Sequence, residues 1–384
     1  MNVRVLIPLL ACVIVAACTG GEPASSPASP DAPAASSAPP DAASASEADA
    51  APAPARGRPV RLTESFLSAM TPEDNIDSVA SWTTAEGDTW VFATAKSTHR
   101  LLVYDGDTGR TLRTVGRQGS AAGEFARPNG VFVADDLLWV VERDNRRVQA
   151  FALPGLEPLG HFGAEVLRKP YGLWLHPAAG GGWNLYVTDA YELEDGSVPP
   201  LAELDRRVHR FHASLAEGRI LARHQGAFGD VGEQGALRVV ESIFGDPAND
   251  RLLIAEEDES WANEFKVYDL GGRFAGRTVG AGLLAAQAEG IALRACPGDA
   301  GGWWLTTEQD KEGTVFHLFE RVGKAHAGSF RGATVANTDG IWLQQAPTRA
   351  FPEGVLYAVH DDQGMVAFDW RAIAAALALP GCPD

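Results

Sequence analysis

Residues 241–268 contain one nearly complete unit of a sequence repeat and read ESIFGDPANDRLLIAEEDESWANEFKVY. Three short apolar segments in this unit are separated by Gly, Pro, Asp and Asn, which predicts three strands joined by turns. Similar units recur along the chain at a spacing of about fifty residues, a period typical of four-stranded propeller blades. The repeat therefore predicts an all-β fold built of blades.

Each unit opens with a variable residue, then Gly or Ser, then a branched aliphatic residue. The variable residues of the six copies are Asp77, Asn129, Tyr171, Glu241, Glu289 and Asp339. Six copies predict a six-bladed β-propeller with four-stranded blades. The last unit lacks a fourth strand, and we expect the alternating segment from Val60 to Phe66 to supply it and close the ring. Residues 371–379 are expected to form a short helix, and residues 192–205 a surface loop.

The first 58 residues are expected to lie outside the propeller. Residues 1–17 combine a basic residue with a short apolar run and end in Ala16-Ala17 before Cys18. This pattern resembles a bacterial export signal ending in a lipobox, in which Cys18 is lipidated; an ordinary cleaved signal is the alternative. Residues 18–58, rich in Ala, Pro and Ser, predict a disordered tether, and residues 59–384 the propeller. We therefore expect an exported protein, lipid-anchored to the bacterial outer membrane on its periplasmic or cell-surface face.

The net charge argues against nucleic acid as a partner, and the cysteines allow one disulfide. The net charge of −18, from 50 acids against 32 bases, argues against nucleic acid because a phosphate backbone needs a basic surface. We expect a monomer that meets the membrane only through its lipid. Outside the signal and lipobox, the cysteines are Cys296 and Cys382. In an oxidising compartment these two form a disulfide or remain separate thiols, and the sequence leaves both possibilities open.

Charged residues recur at two places in the unit. Propeller first strands line the central channel, so the six variable residues are expected to form a ring with four carboxylates and one amide. Further acids, Glu256 and Glu257, follow a second strand, and Lys96 and Arg143 follow others. Oxygen ligands without Cys or paired His favour a hard cation such as Ca²⁺, and a solvated polar channel is the alternative. Cations beside Lys and Arg suit a phosphate.

These residues resemble the β-propeller phytases, six-bladed calcium-dependent phosphatases that act on inositol hexakisphosphate. The resemblance covers residues 75–362 and is most specific from blade four onward. Its motifs are VESI at 240–243, LIAEEDESW at 253–261, AEGI at 288–291, residues 314–321, NTDGI at 337–341 and FPEGVLYAV at 351–359. Residues 125–162, in contrast, are similar to NHL-repeat propellers.

The resemblance implies roles for particular residues. The implied calcium ligands are Asp77, Glu241, Glu257, Glu289 and Asp339, with Glu256 as a further candidate; Asp77, Glu241 and Glu257 would be catalytic. The implied phosphate-binding residues are Lys96, Arg143 and Tyr171. The chain departs from the family at three places. The family has paired Asp followed by Pro at the start of blade one, where this chain has only Asp77, between Ile76 and Ser78; an expected acid falls near Ala333, and an expected lysine is replaced at Ala190.

The function expected from these observations is a calcium-dependent phosphomonoesterase that hydrolyses phytate or related inositol phosphates with metal-activated water. One alternative is a noncatalytic surface propeller that binds a protein or carbohydrate and uses calcium only structurally. Another is a calcium-dependent lactonase-like propeller, which has no obvious need for Lys96.

Overall fold

The computed structural model describes residues 57–298 and 301–382. The predicted signal, Cys18 and all but the end of the predicted tether lie outside the described residues. In the part of the chain that is described, no helix has the length and apolar character needed to cross a membrane.

The structure confirms a six-bladed β-propeller with four-stranded antiparallel blades. The first strand of each blade contacts that of the next, and blade six contacts blade one, so the ring is closed. Two strands precede the blades: Val60–Arg61 (β1) and Phe66–Leu67 (β2). Blade one contains Ile76–Thr83 (β3), Thr89–Ala95 (β4), Arg100–Asp105 (β5) and Thr111–Val115 (β6), and blade two contains Pro128–Ala134 (β7), Leu137–Glu142 (β8), Arg147–Ala152 (β9) and Glu157–Phe162 (β10).

The remaining elements follow the same order. Blade three contains Pro170–Pro177 (β11), Trp183–Asp189 (β12), Val208–Ala216 (β13) and Arg219–Phe228 (β14), and blade four contains Ile243–Asp246 (β15), Arg251–Glu256 (β16), Glu264–Tyr268 (β17) and Phe274–Val279 (β18). Blade five contains Gln287–Ala295 (β19), Gly302–Gln309 (β20), Val315–Glu320 (β21) and His326–Arg331 (β22), and blade six contains Ile341–Gln344 (β23), Val355–His360 (β24) and Gly364–Asp369 (β25). Short 3-10 helices cover Leu201–Glu203 and Pro247–Asn249, and the one α-helix among the described residues is Trp370–Ala376 (α1).

The N-terminal segment closes the ring, but not as one strand. The sequence predicts a single strand over 60–66, whereas β2 alone pairs with β25 and completes blade six. Strand β1 pairs in parallel with β22 and gives blade five a fifth strand. Between them, the Glu64 carboxylate accepts hydrogen bonds from the backbone N–H groups of Thr334 and Val335, at 2.8 and 2.9 Å. This anchor holds the segment where it passes from blade five to blade six.

The small residue in each repeat motif is explained by the packing of neighbouring first strands. A Cβ atom at Gly172 would lie 2.2 Å from the carbonyl oxygen of Glu241 in the next blade. At Gly340, the backbone N–H donates to the carbonyl oxygen of Asp77, at 2.9 Å. Glycine therefore lets adjacent first strands approach closely enough to bring their ring residues together.

The C-terminus is held against the propeller in two ways. Helix α1 buries Trp370 and Ile373 in the core between blades five and six. Cys296 and Cys382 form a disulfide with their Cα atoms 5.3 Å apart.

Candidate functional site

Five of the six variable residues of the repeat line a cavity of about 70 Å³ between the first strands. They are Asp77, Tyr171, Glu241, Glu289 and Asp339. Their side chains lie above a layer of aliphatic residues from the same strands. These residues are Val79, Val131, Leu173, Ile243, Ile291 and Ile341. The site is therefore an acidic ring backed by an apolar channel.

One half of the ring holds three carboxylates that form no ion pair with any Lys or Arg of residues 57–298 and 301–382. Oxygen atoms of Glu241, Glu257 and Glu289 lie within 4.8 Å of one another, and we call these three residues the glutamate group. Burial raises the pKa of Glu241 to about 8, with a further contribution from Asp77. Burial and the neighbouring glutamates also hold the pKa values of Glu257 and Glu289 well above the ordinary range. Lys96 and Lys169 lower the pKa of Glu241 in part, and a bound cation would stabilise the charged forms of all three carboxylates further.

The other half of the ring contains Lys96. Its ammonium lies 2.7 Å from Asp77 Oδ1 and 3.4 Å from Asp339 Oδ2. The Tyr171 hydroxyl donates to Asp77 Oδ1 at 3.0 Å, and the Asp362 carboxyl hydrogen-bonds with Asp339. We call Asp77, Asp339 and Asp362 the aspartate group. Burial alone would lower the pKa of Lys96, but the charges of Asp77 and Asp339 outweigh it and raise that pKa.

Two unpartnered polar groups indicate that the ring fits a hard cation. Glu257 Oε1 accepts from the Ser242 backbone N–H at 3.1 Å, but its buried Oε2 has no hydrogen-bond partner within 57–298 and 301–382. Asn129, the ring residue of blade two, is 0% exposed, and neither of its amide atoms is partnered in the same segments. Buried polar groups are normally satisfied, and carboxylate and amide oxygens are the ligands that calcium prefers.

Glu256 is not brought into the ring, although it adjoins Glu257. Its carboxylate accepts from the backbone N–H groups of Arg238 and Asp258, at 2.6 and 3.0 Å. Acids at the same strand end in other blades anchor the loop before the first strand in the same way. Those acids and their donors are Glu142 with Ala126 N, Asp189 with Arg168 N and Lys169 N, and Glu308 with Ala285 N. The repeated contact indicates that Glu256 stabilises its blade.

Arg143 occupies the same place in blade two that Lys96 has in blade one. The backbone N–H of Arg143 donates to Arg127 O, and the backbone N–H of Lys96 donates to Asn75 O, both at 3.0 Å. The Arg143 side chain, however, pairs with its neighbour Asp144 at 2.7 Å and is 28% exposed. The structure thus places Arg143 at the level of the site with its charge directed to Asp144.

Ser78, Ala190 and Ala333 stand at the positions where the sequence departs from the phytase family, and the structure shows what each one contacts. Ser78 donates its hydroxyl to Asp77 Oδ2 at 2.9 Å, so it supports a ring carboxylate without adding one. Ala190 occupies the position in blade three that Lys96 occupies in blade one, and its backbone N–H donates to Lys169 O. Its side chain is buried. Ala333 is exposed beside Glu64. Of these three, only Ser78 contacts a ring side chain.

Sequence reasoning missed two residues of the site. The Gln309 amide donates to Asp339 Oδ1, and Asp362 bonds to the same side chain. Gln309 follows Glu308 as Glu257 follows Glu256, so the repeat register could have revealed it. Asp362 was visible only as one of two adjacent loop acids. Asp361 and Asp362 both have positive φ angles, of 50° and 57°, in the turn between β24 and β25.

Comparison with known proteins gives similarity of fold only. No protein-family model matches the chain, and no curated protein matches it. Among solved structures, hydrazine synthase of Kuenenia stuttgartiensis is 11% identical over 82% of each chain, with a TM-score of 0.46. A gluconolactonase of Xanthomonas campestris is 14% identical over 78% of this chain and 86% of its own, with a TM-score of 0.49. Virginiamycin B lyase of Staphylococcus aureus is 10% identical over 78% and 97%, with a TM-score of 0.44.

Proposed function

We propose that the protein is a calcium-dependent phosphomonoesterase that hydrolyses phytate or related inositol phosphates. The observation that carries this proposal is the glutamate group, three clustered carboxylates that form no ion pair with a described Lys or Arg, in the same ring as Lys96 and Tyr171. A dense cation site next to anion-binding side chains is the arrangement that phosphoryl transfer to water requires.

The residues of the ring would have different roles in binding calcium and substrate. Glu241, Glu257, Glu289 and Asn129 offer oxygen ligands to calcium, which when bound neutralises phosphoryl oxygens and acidifies a bound water. Lys96 would bind a phosphate oxygen. Burial and the nearby carboxylates raise the pKa of Tyr171 well above its ordinary value. Its hydroxyl therefore keeps a proton at neutral pH and can donate a hydrogen bond to the substrate.

A noncatalytic propeller with structural calcium is a second candidate. It is favoured by the small number of bases that face the ring. Arg143 is directed to Asp144, and Ala190 offers no charge where the phytase resemblance leads us to expect a lysine. A highly phosphorylated substrate would then be held mainly by calcium and Lys96. In this second case the ring would bind calcium and stabilise the fold without hydrolysis.

Phosphate release from inositol hexakisphosphate distinguishes the two candidates. We expect release with calcium, none with EDTA, and at least about a hundredfold loss in Glu257→Gln, because removing one interaction specific to the transition state typically costs this much. Glu259→Gln is the matched control, since Glu259 is an exposed acid of the same loop. If folded wild-type protein binds calcium but releases no phosphate, the noncatalytic function is supported and the phosphatase proposal fails.

A further inference from the structure

The face of the propeller opposite the acidic ring carries a group of basic residues where blades four and five meet. Arg251 begins strand β16, and Glu256 ends it next to Glu257 of the ring. Because a strand rises about 3.3 Å per residue, Arg251 lies roughly 17 Å from that end. Lys324 lies in the turn between β21 and β22 of blade five. We call Arg251, Arg277 and Lys324 the basic group, and it is separate from the ring.

Two of these cations converge on one neutral acceptor. The Arg251 guanidinium donates to the carbonyl oxygens of Arg321 and Val322, at 3.3 and 3.4 Å, and the Lys324 ammonium donates to the same Arg321 oxygen. Within residues 57–298 and 301–382, none of the three basic side chains forms an ion pair with a carboxylate. The basic group is therefore a local excess of positive charge in a chain whose net charge is −18.

Asp246, an acid whose charge acts on Lys324, is already paired. It is buried at the end of β15, and its charge raises the pKa of Lys324. Its two oxygens, however, accept from the Arg321 guanidinium at 2.6 and 2.8 Å, and one also accepts from the Asn249 amide at 2.7 Å. Asp246 and Arg321 thus neutralise each other, and neither contributes a counter-charge to the basic group.

The crowding of positive charge changes two pKa values. Burial, and then the charges of Arg251 and Arg277, lower the pKa of Lys324 from 10.5 to about 7. Burial and Arg277 likewise lower the pKa of Arg251. An anion bound among the three side chains would oppose these effects, because a nearby opposite charge favours the charged form.

We propose that Arg251, Arg277 and Lys324 form an anion site on the face opposite the ring, and that its ligand is a doubly charged tetrahedral oxyanion. Guanidinium groups match the oxygens of phosphate and sulfate, and three cations suit a double charge better than a single carboxylate. The indole of Trp304 forms one side of the site, with the Lys324 ammonium 5.4 Å from the ring centroid. Inorganic phosphate and the phosphate monoester headgroups of lipids share this chemistry. The site depends neither on calcium nor on the proposed function of the ring.

Lys324 makes binding at this site dependent on pH. Arg251, Arg277 and Arg321 oppose its protonation, and Asp246 favours it, so in the empty protein the amine is half protonated at a pH of about 7. A bound anion favours the ammonium form. The affinity should therefore be full at lower pH and fall as the pH rises through this value. Sulfate is a better probe than phosphate because its charge does not change over this range.

Calorimetric titration with sulfate at constant ionic strength tests the proposal, with EDTA present so that no calcium bridges the anion to the ring. The wild type should bind one sulfate, and its Kd should rise about tenfold between about pH 6 and about pH 8, because one proton is linked to binding. Arg277→Gln should raise the Kd by about tenfold, since one charged contact is lost. Lys324→Met should weaken binding and remove the pH dependence. Arg273→Gln is the matched control, because Arg273 is an exposed arginine of the same hairpin that pairs with Asp269.

Three results would overturn the proposal: no binding of sulfate, wild-type affinity in Arg277→Gln, or a wild-type Kd that does not change with pH. Arg277 is exposed on β18, so its variant should fold even if Lys324→Met does not. Absence of phytate hydrolysis would refute the proposed function of the ring and leave the anion site unaffected.

Inorganic phosphate and lipid vesicles distinguish the two sources of the ligand. The full chain with Cys18→Ser, which lacks the expected lipid, is mixed with phosphatidylcholine vesicles with and without phosphatidic acid. Binding only to the vesicles that contain phosphatidic acid, and its loss when Arg277→Gln is added, would assign the site to a lipid headgroup. Binding of inorganic phosphate without binding of either vesicle would assign it to free phosphate.

Discussion

Glu256 and Glu257 are adjacent, but their side chains serve different purposes. Successive side chains of a strand point to opposite faces, so one carboxylate turns to the loop before β15 and the other to the channel. Glu256 is satisfied by backbone N–H groups, whereas Glu257 keeps one buried oxygen without a described partner. Glu257, whose carboxylate has the fewer protein hydrogen bonds of the two, is therefore the better suited to bind a cation.

We predict that Glu257→Gln stabilises the calcium-free protein and abolishes its response to calcium. Burial and Glu241 disfavour the charged form of Glu257, so a neutral isostere removes repulsion worth about 1–2 kcal/mol in the free energy of unfolding. Differential scanning calorimetry with EDTA and with calcium measures both effects. A calcium-dependent rise in Tm that persists in Glu257→Gln would contradict the assignment, and Glu259→Gln should behave as wild type.

Blades three and five each contain a row of three polar side chains in contact, one on each of three neighbouring strands. In blade five Glu308 lies 3.0 Å from His317, which lies 3.2 Å from His326 on the next strand. In blade three the corresponding residues are Asp189, His209 and His224. Because Asp189 and Glu308 also accept hydrogen bonds from the loop before the first strand of their own blade, these side chains link three strands of the blade to the loop that positions the ring. We therefore assign them a structural role.

We predict that protonation of His326 weakens the fold at acid pH. Burial and His317 lower the pKa of His326 from 6.5 to about 4. The folded protein thus binds fewer protons than the unfolded chain between these values, and the free energy of unfolding should fall as the pH falls from 6.5 to 4. Urea unfolding should show a smaller fall for His326→Gln than for wild type. An equal fall in both would contradict the prediction, and His161→Gln, at an exposed histidine of β10, is the control.

The regular elements could be predicted because apolar strands and small turn residues repeat along the chain. The division of the N-terminal segment could not, because it depends on Glu64 binding a loop 270 residues away in sequence. The ring carboxylates were likewise predictable from repeat register. The pairing of Lys96 with Asp77 and Asp339 was not, since it is set by how blades one and six meet at the channel axis.

The short N-terminal segment that contains β1 and β2 closes the ring of blades. Strand β2 is only two residues long, yet it supplies the fourth strand that covers the edge of β25. Open strand edges invite association with other chains. The segment before Ser68 therefore protects blade six as well as joining the two ends of the propeller.

We predict that a chain beginning at Ser68 has a lower Tm and aggregates, because it lacks β1, β2 and the Glu64 anchor. A chain beginning at Arg58 retains all three and should match the full-length protein. Thermal unfolding and light scattering of the two chains measure the difference. Equal Tm values would show that the N-terminal strands do not contribute to ring closure.

Anomalous diffraction would show whether the acidic ring binds a cation. Crystals grown with calcium should show an anomalous peak at the end of the channel, bounded by Glu241, Glu257 and Glu289, and the peak should vanish in Glu257→Gln. An empty ring at saturating calcium, or ions found only at exposed acids such as Glu259, would show that the ring is not the cation site.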